Sequence, residues 1–149
     1  MLNEILTQLY ERDLNKLRTE IEQFTDEADL WKTTEGITNS AGNLCLHLTG
    51  NLHHFFGAVL GDTGYVRDRD AEFANKNVSR DDLLSNIDAA LAVVRETLGG
   101  LTDGDFAKTY PIEVFGHPMT TAYFATHLAT HFNYHLGQIN YHRRLLTRS

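Results

Sequence analysis

Apolar side chains return along this chain at intervals of three and four, the period of a helix that buries one face. Residues 2–24 give the first such run, with Leu2, Leu6, Leu9, Tyr10, Leu14, Leu17, Ile21 and Phe24 set among Glu, Arg, Asp and Lys. A loop is expected through Thr25-Asp26-Glu27 and Trp31 to Gly36. Asn39-Ser40 then offers an N-cap for a second helix, which buries Leu44, Leu48 and Leu52 and ends near Gly61. Residues 61–77 are polar and carry the alternating charges Arg67-Asp68-Arg69-Asp70, which predicts a long connection.

Ser79-Arg80-Asp81-Asp82 has the form of a capping box. Leu84, Ile87, Leu91, Val94 and Leu98 follow at helical spacing until Gly99-Gly100 stops the third helix. Pro111 and Pro118 break any helix between 101 and 119, while Tyr110, Ile112, Val114 and Phe115 around Gly116 predict a small hairpin or structured loop. A fourth helix runs from about Thr120 to Leu146, its core stripe marked by Ala125, Leu128, Phe132, Leu136, Ile139 and Leu146. Gly137 inside it costs about 1 kcal/mol relative to alanine, so it marks either a close neighbouring helix or a tolerated weak point.

Four amphipathic helices with two longer connections predict an all-α fold, a four-helix bundle with a short hairpin or structured loop before the last helix. At 149 residues the chain suits one domain, 1–149, with a core that needs no disulfide. Its single cysteine, Cys45, excludes an internal bridge and lies across the helix from His47, where a small buried hydrophobe is expected. A net charge of −7 argues against a nucleic-acid partner. The cluster Arg143, Arg144 and Arg148 reads as a solvated last turn favoured by the helix dipole. An acid in Met1-Leu2-Asn3-Glu4 and the lack of a long apolar run point to a cytoplasmic protein without a membrane span.

The histidines add chemistry to this scaffold. His127, His131 and His135 stand four residues apart on one face of the last helix, so two adjacent imidazoles can converge on one ion. All three cannot, since they span roughly 12 Å of helix axis. The pairs 127/131 and 131/135 satisfy this geometry equally, and His47 in the second helix is the candidate for a third ligand. Three neutral imidazoles leave coordination positions open, as catalytic rather than structural sites do. Partners for the outer ring nitrogens are at hand: Gln138 one turn after His135, and Asn43 and Asn51 one turn either side of His47. His54 is read as solvent-facing, and His117 and His142 as surface residues.

Three segments resemble the DinB-like, DNA-damage-inducible metal-binding proteins, a family similar to bacillithiol transferases and mycothiol-dependent maleylpyruvate isomerases. They are residues 39–52, from Asn39-Ser40 through His47 to Leu52; Arg67-Asp68-Arg69-Asp70-Ala71-Glu72-Phe73; and His131-Phe132-Asn133-Tyr134-His135-Leu136-Gly137-Gln138. The resemblance covers nearly the whole chain. It implies a four-helix bundle, a homodimer, and a metal held by His47, His131 and His135, with His127 left as an outer or cavity residue. No chemistry is assigned to the Arg67–Phe73 segment, read as a solvated or interface loop, with anion binding by Arg67 or Arg69 as the alternative.

Scaffold and histidines together predict a divalent-metal-dependent enzyme acting on a small molecule, with zinc or nickel activating a bound thiol or water. The resemblance favours a transferase that takes a low-molecular-weight thiol such as bacillithiol as co-substrate. A metal-dependent hydrolase, or a non-catalytic metal-binding stress-response protein in which the ion ties two helices together, are the alternatives.

Overall fold

The computed structural model describes residues 1–147. Helix α1 spans Leu2–Glu22 and buries Leu6, Tyr10, Leu14, Leu17 and Ile21, steps of three and four that keep one face inward. The expected loop after it contains a 3-10 turn, Glu27–Trp31, started by Asp26, whose carboxylate accepts from the Ala28 amide at 2.9 Å. The Trp31 ring lies against Gly42, where an added Cβ would fall 2.7 Å from it.

Helix α2, Ala41–Leu52, begins where Ser40 accepts from the Asn43 amide at 3.1 Å. It continues as a π-helical stretch, His53–Leu60, that closes at Gly61 with a bond from Gly61 N to Phe56 O of 2.9 Å. The expected 40–61 helix is therefore one continuous rod whose hydrogen-bond register changes midway. The connection beyond it is more ordered than its polarity suggests: Asp68 caps a short helix α3, Arg69–Ala74, by accepting from the Ala71 amide at 3.1 Å.

Helix α4, Arg80–Gly99, is capped by Ser79, which accepts from the Asp82 amide at 3.1 Å. Its buried line is Leu83, Ile87, Ala90, Val94 and Leu98, so Leu84 and Leu91 sit on the edge of the core, not in it. Ahead of the expected hairpin or structured loop, Thr102 and Asp105 form a reciprocal capping box for a short helix α5, Asp103–Ala107. The loop beyond it is pinned by Tyr110 N to Met119 O and Thr121 N to Lys108 O, both 2.8 Å, with no strand among the described residues.

Helix α6, Thr121–Leu146, is capped by Thr120 and buries Phe124, Ala125, Leu128, Phe132, Leu136 and Ile139. Leu146 is only half-buried. His142, expected at the surface, is buried at 3 % exposure because its position continues that apolar line past Ile139. Arg143 is not solvated either: with Asn140 it donates to the Glu20 carboxylate of α1, at 2.8 and 2.7 Å. Arg148 lies outside the described residues. Gly137 has no heavy atom within 4 Å of an added Cβ, so no neighbouring helix requires it, and it is the weak point.

The four long elements close into a ring in which α1 and α2 each pack against both α4 and α6. Buried tyrosines tie the layers: Tyr10 Oη donates to Ala125 O at 2.7 Å and Tyr110 Oη to Phe55 O at 2.6 Å. Both α2 and α6 present one side to a space roofed by α3 and the 108–120 loop, and the histidines face it. No helix among the described residues is long and apolar enough to cross a membrane.

Candidate metal centre

Helix α2 carries His47 into the interior at 5 % exposure. From α6, His131 and His135 approach it one turn apart, with His47 Nε2 lying 3.2 Å from His131 Nε2. Ring centroids are 5.1 Å apart for His47–His131, 5.4 Å for His47–His135 and 4.6 Å for His131–His135. One nitrogen from each ring falls within 4.8 Å of the other two. The structure thus brings together the 131/135 pair with His47, and leaves His127 outside the cluster.

His127 instead packs between Phe115, at 5.0 Å, and Phe124, at 6.2 Å, in the wall of the adjoining cavity. His54 is half-buried against Phe55 and does not join the cluster. His117 is exposed, as expected.

Outer partners orient two of the rings. Gln138 Oε1 accepts from His135 Nδ1 at 2.7 Å, which leaves His135 Nε2 as a free lone pair. His47 does not use Asn43 or Asn51. Asn43 is engaged by Ser40, by Lys76 and by the backbone carbonyls of Glu72 and Asn75. Asn51 lines the cavity. The partner of His47 is Glu72 of α3, whose Oε1 lies 3.0 Å from His47 Nδ1.

Glu72 is 6 % exposed and ionised. Burial by itself would raise its carboxyl, but hydrogen bonds from His47 and Arg67, with the guanidinium charge, outweigh that and hold it below its ordinary value. Arg67 donates twice, Nε to Oε2 at 2.9 Å and Nη2 to Oε1 at 3.0 Å, a fork that fixes the carboxylate in the plane of the imidazole contact. An ionised acceptor on Nδ1 makes His47 the Nδ1–H tautomer and turns its Nε2 lone pair toward His131. Within the Arg67–Phe73 segment Arg67 and Glu72 are therefore neither solvated nor idle, while Asp68, Arg69 and Asp70 between them are exposed, as a solvated loop would have them.

Two of the three rings, His131 and His135, favour the neutral imidazole. Burial, then the neighbouring His135 and His47, lower His131 to about 4, and burial also lowers His135. Neutral rings are the form a metal needs. His131 Nδ1 is buried without a partner. The two facing Nε2 atoms stand at 3.2 Å, close to the separation of about 3.3 Å expected between two nitrogens on one tetrahedral zinc. By donor type, tautomer and spacing, this set fits a divalent transition metal.

Sequence reasoning missed Glu72 and Arg67 because they lie on or beside a short helix buried within a polar connection. A signal was present in Gly50, three residues after His47 on the same face of α2. A Cβ there would fall 2.1 Å from Glu72 Oε2.

These features define an all-helical bundle of the DinB-like fold with a candidate centre between α2 and α6. The chain belongs to the DUF1572 family, a DinB-like family described as protein of unknown function, which it matches over residues 3–149. The crystal structure of a DinB-like protein from Bacillus cereus superposes with a TM-score of 0.72 at 19 % identity, covering 95 % of this chain and 90 % of that one. No curated protein matches.

Proposed function

We propose that the protein is a divalent-metal-dependent enzyme whose ion is held by His47, His131 and His135, and that it transfers a low-molecular-weight thiol to a small electrophilic substrate. The observation that carries the metal is the convergence of three imidazole nitrogens within 4.8 Å, from two helices, with Glu72 and Gln138 orienting the outer two rings. Zinc or nickel suits three neutral nitrogens. Such an ion, when bound, lowers the pKa of a coordinated thiol or water so that a nucleophile exists at neutral pH.

Two features favour turnover over a purely structural ion. No fourth side chain joins the cluster among the described residues, and a cavity of about 200 Å³ opens directly on His47 and His131. The chain supplies no nucleophilic sulfur of its own, because burial pushes the Cys45 thiol up to about 12. A thiol used here has to enter from outside. Through Nδ1 the Arg67–Glu72 pair holds the His47 ring in orientation, while Asn51 and the aromatic wall bound the substrate space.

The test pairs two measurements. Elemental analysis of the protein purified without nickel resin and reloaded with zinc is expected to give one ion per chain, and none in His131→Ala. Conjugation of bacillithiol, mycothiol or glutathione to monochlorobimane, followed by fluorescence, is expected with one of these thiols and only in the metal-loaded wild type. Full zinc retention by His131→Ala ends the ligand assignment; zinc binding without conjugation by any of the three thiols ends the transferase reading.

A further inference from the structure

The cavity beside the histidines has a chemical polarity at odds with the rest of the molecule. The chain carries a net charge of −7, yet no Asp or Glu lines this space, while Arg67, Arg69, His47, His127 and His131 do. Asp68, next to Arg69 in sequence, is turned away to cap α3 and borders a different hollow. The rest of the lining is apolar, built from Phe55, Phe115, Phe124, Val114 and Leu128.

Two groups here have no use inside the protein. Arg67 is consumed by Glu72, but Arg69, an exposed residue at the cavity rim, makes no ion pair among the described residues and rests over the Phe73 ring at 5.2 Å, which keeps its charge beside the cavity without neutralising it. Asn51 is 6 % exposed, lines the same cavity, and its carboxamide has no hydrogen-bond partner among the described residues. The polar atoms of the carboxamide are not sealed from solvent, so they meet the cavity space and are open there to a polar group of a ligand. A guanidinium and a carboxamide beside a wall of aromatic rings suit an acid with an apolar body.

We infer that this cavity binds a small apolar carboxylic acid, its carboxylate held by Arg69 and Asn51 and its body against Phe55, Phe115 and Phe124, so that the substrate of the proposed transfer is anionic. The inference rests on the reading of the histidine cluster as the reacting centre, but the ligand's anchor is separate from it. Arg69 and Asn51 are binding residues; neither is required to hold the ion.

Three probes share one body and differ in charge: phenylacetate, phenylacetamide and phenethylamine. Binding to the zinc-loaded full chain is measured by ligand-observed NMR titration, with zinc content determined on the same samples. Phenylacetate is expected to bind about tenfold more tightly than phenylacetamide, the scale of a charge-assisted hydrogen bond, with phenethylamine weakest. Arg69→Gln is expected to abolish the preference for the acid, and Asn51→Leu to weaken phenylacetate, each with zinc content unchanged. A preference that persists intact in Arg69→Gln with zinc bound places the carboxylate on the ion and overturns the inference while leaving the metal centre standing. No preference for the acid in the wild type overturns it as well. Samples that hold no zinc yet keep an Arg69-dependent preference uphold the anion site and reject the metal centre.

Discussion

The Glu72 carboxylate occupies the space that a side chain on Gly50 would fill: an added Cβ would lie 2.1 Å from Oε2 and 2.7 Å from Cδ. Helix α2 is thus notched one turn beyond His47, and the notch is what lets a carboxylate from α3 reach the imidazole. Backbone freedom plays no part, since Gly50 sits mid-helix, where glycine is otherwise unfavourable by about 1 kcal/mol. Gly50→Ala is expected to push Glu72 off His47 Nδ1 and to weaken zinc binding about 10- to 100-fold by calorimetric titration, with helical circular dichroism retained. Wild-type affinity in that variant would show that Glu72 does not orient the ring for the ion.

The Arg67–Glu72 pair is nearly enclosed, with side-chain exposures of 11 % and 7 %. Removing Glu72 alone strands the Arg67 guanidinium away from water, whereas removing both leaves no unpaired charge, only the His47 Nδ1–H without its acceptor. Glu72→Leu is expected to destabilise the chain by about 3 kcal/mol in urea unfolding, and Arg67→Met combined with Glu72→Leu to recover most of that loss. Equal losses in the single and double variants would mean the pair contributes by packing alone. Zinc affinity falls in both, since both lack the carboxylate on His47.

Much of this is legible in the sequence for a simple reason: α1, α4 and α6 are amphipathic, so their buried lines repeat at helical spacing, and α4 and α6 start on Ser or Thr caps. The convergence of His47 with His131 and His135 is accessible too, because spacing by four fixes a common face. What is not legible depends on contacts across the fold. Nothing local distinguishes Glu72 from the exposed acids around it; only the packing of α3 on α2 makes it the partner of His47. Asn43 and Asn51 are equally placed by register, but Asn43 is spent on tying the α3 backbone down. His142 escapes a reading by sequence because a polar residue near a helix end suggests solvent, whereas the 3-10 turn and the 36–39 loop cover that turn of α6.

Gly137 offers the opposite case to Gly50. It lies in the exposed interior of α6, no atom stands within 4 Å of an added Cβ, and its φ is not positive, so alanine fits without displacement. Gly137→Ala is expected to stabilise the chain by about 1 kcal/mol and to raise Tm by roughly 3 °C in a thermal scan of the metal-free protein. Destabilisation would require a contact on this face that the isolated chain lacks. Its two histidine neighbours keep their positions, so zinc content is expected to stay at the wild-type value.

The acid response of the metal-free chain has its origin in the same burial. His131 is lowered from 6.5 to about 4, chiefly by burial and then by His135 and His47. Between those values the unfolded chain binds a proton at this site and the folded chain does not, so stability falls as pH drops from 6.5 and ceases to fall on this account near 4. His142 acts in the same direction: burial lowers it, and the nearby Lys32 backbone, outside good hydrogen-bonding geometry, offsets this only in part. Glu72 adds nothing above its ordinary 4.5, because its carboxyl is held below that value; its contribution is complete there and is lost only at lower pH, as the folded-state carboxyl itself takes up a proton. Tm of the chelator-treated protein is therefore expected to decline from pH 7 toward 4, with a further drop below 4.5. His142→Leu separates the two histidines, since it lies outside the cluster and removes a buried imidazole whose nitrogens both lack partners. It is expected to raise Tm at pH 7 and to flatten the decline between 6.5 and 4 without removing it, the residue of the slope belonging to His131 together with His135, His53 and His54, which burial lowers as well. A slope unchanged by His142→Leu would mean that this imidazole is protonated equally in the folded and unfolded chain, and hence that water reaches it.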